Sequence, residues 1–251
     1  MKRIDVLLAE KSLARSRSEA QKLIAAAAVE VRELGGWRAV SKASEKFAEH
    51  SEFKVAAIEE QKYVSRAGLK LEAVLASQDL SLEGKLALDI GQSTGGFTDC
   101  LLKHGVAHVV GVEVGSGQLA PSLLGDPRIT TFENYNARKL SLADLRPVSQ
   151  NGFDIVVMDV SFISQHLILP SVPNTMKTGA WLVSLVKPQF EAGKAAVGKH
   201  GLVSDPAVYR RIEGEIREHL EALGFIIRSY AESPIRGGDG NREFVLLAQK
   251  Q

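Results

Sequence analysis

One stretch constrains this chain more than any other: Leu86-Ala87-Leu88-Asp89-Ile90-Gly91-Gln92-Ser93-Thr94-Gly95-Gly96-Phe97-Thr98. It reads as a strand, a glycine-rich turn and a helix starting near Gly96. Glycine takes positive φ without steric cost and lets backbone approach a ligand closely. The next apolar run ends at Val112-Glu113, and Glu113 lies 22 residues after Gly91. In doubly wound sheets an acid at the end of the second strand accepts hydrogen bonds from ribose hydroxyls. Such charge-assisted bonds contribute about 1.5–3 kcal/mol.

The surroundings fit that unit. Apolar runs at Leu86–Ile90, His108–Val114, Thr130–Phe132, Phe153–Val160, Trp181–Val186, Phe225–Tyr230 and Phe244–Ala248 alternate with helical patterns. Runs separated by helices imply βαβ units and a mostly parallel sheet. Only a glycine-rich loop separates the last two, which suits an antiparallel edge pair. The clearest helix spans 205–223, with Ser204 as its expected cap, Pro206 in its first turn, Gly224 at its end and a stripe of Val208, Ile212, Ile216, Leu220 and Leu223. The expected fold is α/β: a Rossmann-like, seven-stranded, mostly parallel sheet over 61–251, plus a small α+β domain and linker over 1–60.

The loop also discriminates between nucleoside cofactors. A dinucleotide site wants G-x-G-x-x-G, whereas the matching positions here are Gly91, Ser93 and Gly96. Asp89, just before the loop, would meet a pyrophosphate with negative charge. A cationic sulfonium cofactor bearing an ammonium group tolerates that acid, so the pattern favours S-adenosylmethionine over NAD. The candidate cofactor contacts are Asp89, Gly91, Ser93, Gly95, Gly96, Phe97, Glu113, Asn136 and Asp159. Asn136, after the third strand, reads equally well as an adenine contact or as an ordinary Asx turn.

The first thirty residues read helix, turn, helix, strand. Ser16-Arg17-Ser18-Glu19 has the form of a capping box. Arg3, Arg15, Arg17 and Lys22 gather around the helix starts, where guanidinium forks and backbone N–H groups suit phosphate oxygens. By pattern alone, such a cluster is first read as solvated helix faces. Residues 32–60 are polar and weakly periodic and are expected to finish the small domain and form a linker.

Composition excludes several classes. Net charge is +1, which neither demands nor rules out a nucleic-acid partner, because a binding face needs only local positive charge. The single cysteine, Cys100, cannot close an internal disulfide, and no paired Cys/His spacing suggests a metal. No uncharged apolar run approaches the ~18 residues needed to span a bilayer, and the N-terminus has an acid where a signal peptide would be apolar. A cytoplasmic protein without membrane contact is expected.

Asp159 ends the fourth strand and Lys187 the fifth, where ligands of open α/β sheets bind. Lys70 lies on a helix before the first strand, and Glu243 begins the last strand. Taken singly, Lys70 and Glu243 read as surface ion-pair residues. The segments Tyr63–Arg66, Gly68–Glu72, Asp89–Asp99, Asp159–Ser164, Leu185–Glu191, Ser233-Pro234 and Gly237–Glu243 resemble the TlyA family, S4-type-domain proteins with an FtsJ-like methyltransferase domain that are often labelled haemolysin A. Residues 3–31 are similar to the small RNA-binding domain of some pseudouridine synthases and a ribosomal protein. The resemblance implies a class I methyltransferase fold over 61–251, an RNA-binding role for the small domain over 1–60, and a Lys-Asp-Lys-Glu tetrad on Lys70, Asp159, Lys187 and Glu243. It also implies methyl transfer to a ribose 2′-hydroxyl of ribosomal RNA, with ribosomal RNA or a ribosomal subunit as partner. Two departures are Ala67 where the family usually has glycine, and Ala27-Ala28 in place of an Ala-Gly turn.

The mechanism expected from these residues is in-line transfer, with Lys187 taking the hydroxyl proton and the carboxylates orienting the lysines. Three rivals stand beside it. Asp159-Val160-Ser161-Phe162 loosely matches the acid-x-x-aromatic loop of amino-group methyltransferases, but lacks its prolines. The others are a haemolysin-like membrane-active protein and an RNA-binding assembly factor with a vestigial pocket. The glycine-and-lysine stretches 188–204 and 233–243 are candidate lids over substrate.

Overall fold

The computed structural model describes residues 1–14, 16–56, 62–78, 80–145, 148–237 and 240–251, which fall into two units, Met1–Lys62 and Tyr63–Gln251. In the first, strand β1 (Lys2–Arg3) leads into helices α1 (Ile4–Glu10) and α2 (Arg17–Ala25). Strands β2 (Val29–Glu33), β3 (Gly36–Ala39), β4 (Lys46–Phe47) and β5 (Phe53–Val55) follow. The capping box forms: the Glu19 amide donates to Ser16 Oγ at 3.2 Å. Ile4, Leu8, Leu23, Ile24, Val29 and Val31 make the core.

The stretch after residue 32 departs from expectation. It is folded as far as Val55, with β3 and β5 each pairing antiparallel to β2, and β4 pairing with β1. Gly36, at φ 119°, lets the chain turn between β2 and β3. Phe47 and Phe53 pack edge to face at 5.6 Å. These strands are two to four residues long, too short for an alternation to show among their charged neighbours.

In the second unit, helix α3 (Ala67–Ser77) precedes β6 (Leu86–Ile90), α4 (Gly96–Lys103), β7 (His108–Val112) and β8 (Ile129–Phe132). Then come α5 (Leu142–Leu145), β9 (Phe153–Met158), β10 (Met176–Val186), α6 (Pro188–Glu191), α7 (Pro206–Ala222), β11 (Phe225–Glu232) and β12 (Phe244–Lys250). The seven strands lie in the order β11-β12-β10-β9-β6-β7-β8. Only β12 runs against its neighbours; the other pairings are parallel. Both sheet faces are covered. Leu88, Ile90, Val156 and Met158 join a core that includes Ile212, Ile216 and Leu220 of α7, while Ala87, Ile155 and Val157 pack with Leu71, Leu75 and Leu101 of α3 and α4. Burial on both sides explains why the central strands read as continuous apolar runs. Helix α7 is capped by Asp205 and not by Ser204: the Asp205 carboxylate accepts from the Ala207 amide at 2.8 Å.

Helix α2 ends on a residue that the conformation does not suit. Ala27 sits at φ 54°, the left-handed position beyond the C-cap, while the Ala28 amide donates to the Leu23 carbonyl. A Cβ there costs about 1–2 kcal/mol. Ala27→Gly is therefore expected to raise the stability of the small unit by about 1 kcal/mol, read as a higher melting temperature; a lower one would refute the assignment of strain.

Candidate active site

Where the strand order changes direction, β6 lies between β9 and β7. The Asp159 amide donates to the Ile90 carbonyl at 3.0 Å, joining the carboxyl ends of β9 and β6. The loop after β6 passes so close that a Cβ on Gly91 would stand 2.5 Å from the Asp159 carbonyl oxygen. The chain then takes positive φ at Gly91, Ser93 and Gly95, and Gly95 opens α4. At Gly96 a Cβ would lie 2.1 Å from Ser65 Oγ. The glycines are thus required by close approaches, beyond the needs of a turn.

Asp89 is buried, and one face of its carboxylate is fully organised. Thr98 Oγ1 donates to Asp89 Oδ2 at 2.7 Å, Gln92 Nε2 donates to Thr98 Oγ1 at 2.9 Å, and Thr131 Oγ1 donates to Gln92 Oε1 at 2.8 Å. Gly111 makes room for this chain, since a Cβ there would meet the Gln92 side chain at 2.1 Å. Sequence reading missed Gln92, Thr98, Gly111 and Thr131, because the last two belong to other strands. Asp89 Oδ1 has no donor among the described residues. Burial pushes this carboxyl up to about 7, against the Thr98 hydrogen bond, and the nearby negative charge of Asp159 adds to the rise.

A cleft of about 660 Å³ runs along the loop, lined among others by Gly91, Ser93, Glu113, Asn136, Asp159 and Phe162. Glu113 is held by two backbone donors, Ser93 N at 2.9 Å and Gly115 N at 2.8 Å. Asn136 forms an Asx turn, its Oδ1 accepting from the Arg138 amide at 3.1 Å, and also lines the cleft. A smaller cavity of about 170 Å³ holds Asp89, Gly96, Asp159 and Lys187 on its wall and shares Gly91, Ser93, Asp159 and Ser161 with the cleft. Phe97 lines it too, but its ring belongs mainly to the apolar core under the loop. An unpartnered buried carboxylate oxygen on a residue that lines this cavity fits the ammonium of an amino-acid moiety. Glu113, at the end of the second strand, fits a ribose.

The four residues of the implied tetrad form two ion pairs. Lys187 Nζ lies 2.6 Å from Asp159 Oδ1 and donates to Ser161 Oγ at 2.8 Å. Lys70 Nζ donates to Glu243 Oε2 at 2.5 Å, both side chains being buried. The pairs meet through sheet register. Val186 lies opposite Phe244 in the antiparallel β10–β12 ladder, so the next residues, Lys187 and Glu243, emerge side by side. Both line a further cavity of about 360 Å³ with Ser161. Ser161 was not singled out from sequence; its place two residues after Asp159 was the available signal.

In the small unit, Asp5 is buried and gathers the basic cluster. Arg3 donates to both its oxygens at 3.0 Å, Gln21 at 2.8 Å and Arg17 at 3.3 Å. Arg3, with Gln21 and Arg17, holds this carboxyl far below the ordinary carboxylate range, against the opposing effect of burial. Arg3 and Arg17 are therefore oriented residues and not freely solvated ones. Lys22 is exposed, and Arg15 lies outside the described residues.

The geometry at Asp89 predicts a pH profile. Docking an ammonium on Oδ1 needs the ionised carboxyl, which the free protein loses as pH falls through about 7. An α-amino group loses its own proton at roughly 7.7–8.0. Affinity for S-adenosylmethionine is expected to peak between these values and to weaken by up to about tenfold per pH unit on the acid side. Calorimetry from pH 5.5 to 8.5 reads this; an acid limb that survives in Asp89→Asn would locate the titration elsewhere.

Comparison with known proteins agrees with this geometry. Residues 63–250 match the family of FtsJ-like methyltransferases, and residues 2–31 match the S4 domain. The 16S/23S rRNA (cytidine-2′-O)-methyltransferase TlyA of Mycobacterium tuberculosis is 39% identical over 250 residues, 99% of this chain and 90% of that protein. YqxC of Bacillus subtilis, provisionally named an rRNA methyltransferase, is 41% identical over 244 residues, 97% of this chain and 84% of its own. A solved structure from Streptococcus thermophilus, provisionally named a hemolysin, superposes with a TM-score of 0.74 at 36% identity, over all of this chain and 88% of that one. Residues 63–250 make up most of the sequence and contain the glycine loop and all four charged residues: the chain belongs to the FtsJ-like methyltransferase family, whose methyl donor is S-adenosylmethionine.

Proposed function

We propose that this protein transfers a methyl group from S-adenosylmethionine to a ribose 2′-hydroxyl of ribosomal RNA in the cytoplasm, with residues 61–251 performing the transfer and residues 1–60 holding the RNA. The observation that carries the reading is Lys187, seated between Asp159 and Ser161 where the glycine-loop cavity meets the cavity beside Glu243. Once Lys187 has given up its own proton, its neutral Nζ is an acceptor for the proton of a hydroxyl brought there. The name of the Mycobacterium tuberculosis relative, which specifies cytidine 2′-O-methylation of rRNA, supports the same substrate class.

The cofactor supplies an electrophilic methyl on a sulfonium centre. The chain's residues do the rest. Asp89 Oδ1 would accept from the ammonium, Glu113 would hold the ribose, Asn136 would border the adenine side, and Gly91, Ser93, Gly95 and Gly96 would let backbone come close. Asp159 and Glu243 fix the two lysines in orientation. Lys187, as the neutral amine, would take the proton of the attacking hydroxyl. Holding oxygen, methyl carbon and sulfur in line removes an entropic barrier in advance, so positioning carries much of the acceleration. In the small unit, Arg3, Arg17 and Lys22 contact phosphate, with Asp5 setting the angle of the two guanidinium groups; Arg15 completes the set proposed from the sequence.

One feature favours the base-methylation rival. Phe162 stands at φ 64° with its ring 92% exposed, three residues after Asp159, where it can meet a base drawn out of the stack. The paired lysines suit a hydroxyl better than an exocyclic amine. For the membrane-active reading, no helix among the described residues is long and apolar enough to cross a bilayer.

Lys187→Ala is expected to lower methyl transfer by about 10²–10⁴-fold, the usual worth of a positioned base, while leaving S-adenosylmethionine affinity within about threefold. Digestion of the product RNA to nucleosides, followed by mass spectrometry, should place the methyl on ribose. Undiminished transfer by the variant, or a methyl on the base, would end the proposal.

A further inference from the structure

One buried polar atom on the substrate side has no role in the chemistry above. Gln189 Oε1 is buried and has no hydrogen-bond donor among the described residues. A buried acceptor left unpaired is costly to a fold. Gln189 is two residues from Lys187, on the short helix α6, whose start is fixed by the Phe190 amide donating to the Lys187 carbonyl at 2.9 Å and the Ala192 amide to the Pro188 carbonyl at 2.8 Å.

The same side chain lines two adjoining cavities, of about 450 and 360 Å³. Phe162, Phe190 and Val197 line both as well. The second also contains Lys187 and Glu243. The rings of Phe162 and Phe190 stand 5.2 Å apart and tilted by 49°, giving this space aromatic walls. A nucleotide whose ribose reaches Lys187 therefore has its base beside two aromatic rings and an unsatisfied amide oxygen. Resting on the reading of ribose methylation above, we propose that Gln189 is a specificity-determining residue: its side-chain carbonyl accepts a hydrogen bond from the exocyclic amine of the target base.

The chemistry selects among bases. A glutamine amide presents one acceptor and one donor side by side. A base edge with an amine next to a ring nitrogen complements that pair, as in cytosine and adenine. Uracil places a carbonyl where those bases place the amine, so the buried oxygen would face another acceptor. Sites built around a buried hydrogen bond reject the mismatched analogue strongly, because their own polar group is left unpaired.

The test uses the full chain with ribosomal subunits, in which the methylated nucleotide has been located by the nucleoside digestion. Subunits with the natural target are compared with subunits in which that nucleotide is replaced by uridine. The wild type should methylate the amine-bearing target at least about tenfold faster, by kcat/KM. Gln189→Leu should reduce that preference to within about threefold while leaving S-adenosylmethionine affinity unchanged. A uridine natural target, equal rates on both substrates, or a preference surviving in Gln189→Leu would overturn the proposal. So would loss of cofactor affinity in that variant, which would make Gln189 part of the cofactor site. If the wild type methylated no ribose at all, the underlying reading would fall and this inference with it.

Discussion

The pairing of β6 with β9 governs the rest of the site. Asp89 sits opposite Val157 and Ile90 opposite Met158, so both strands end together, and the Asp159 amide bonds to the Ile90 carbonyl just beyond. The glycine loop and Asp159, the acid that pairs with Lys187, are thereby brought against each other. The contact is so close that a single Cβ at Gly91 would push the loop off the Asp159 backbone. Shifting this register by one residue would turn Asp89 to the other sheet face and exchange every apolar side chain between the two cores.

Charge is distributed around that junction in a way that stability alone does not account for. Burying an ion pair costs several kcal/mol of desolvation per ion, and apolar replacements are often neutral or stabilising. Yet Lys70 and Glu243 are paired in the interior, and Asp89 is buried with one oxygen unsatisfied. The directed chain Thr131–Gln92–Thr98 satisfies Oδ2 and leaves Oδ1 without a donor among the described residues. The fold keeps an uncompensated polar atom where a cationic ligand would complete it, which is how a binding site differs from a core. The small unit compensates Asp5 internally: its partners are two arginines and a glutamine of the same unit, so the acid serves as an anchor for basic side chains.

Much of this was legible in the chain. The seven apolar runs, the glycine loop, the spacing to Glu113, the capping box at Ser16 and the long helix before Gly224 depend on residues within a few positions of one another. Turn chemistry and hydrophobic period report such local choices directly. The short strands after residue 32 were not legible, because two to four residues cannot display a period. The exchange of Ser204 for Asp205 as helix cap is a one-residue shift between two good capping residues, decided by which side chain reaches the free amide.

What the sequence by itself determined was the class of fold and the residue types that carry its chemistry: an acid before a glycine turn, a second acid one strand later, and lysines and carboxylates at strand ends. Only the tertiary structure decided who meets whom. The antiparallel β10–β12 register sets Lys187 beside Glu243, a missing Cβ at Gly111 admits the Gln92 side chain, and the packing of α6 leaves Gln189 Oε1 without a donor among the described residues, in the wall of cavities that Phe162 and Phe190 also line. These contacts join residues far apart in the chain. Their existence depends on strand order and register, which no local pattern encodes.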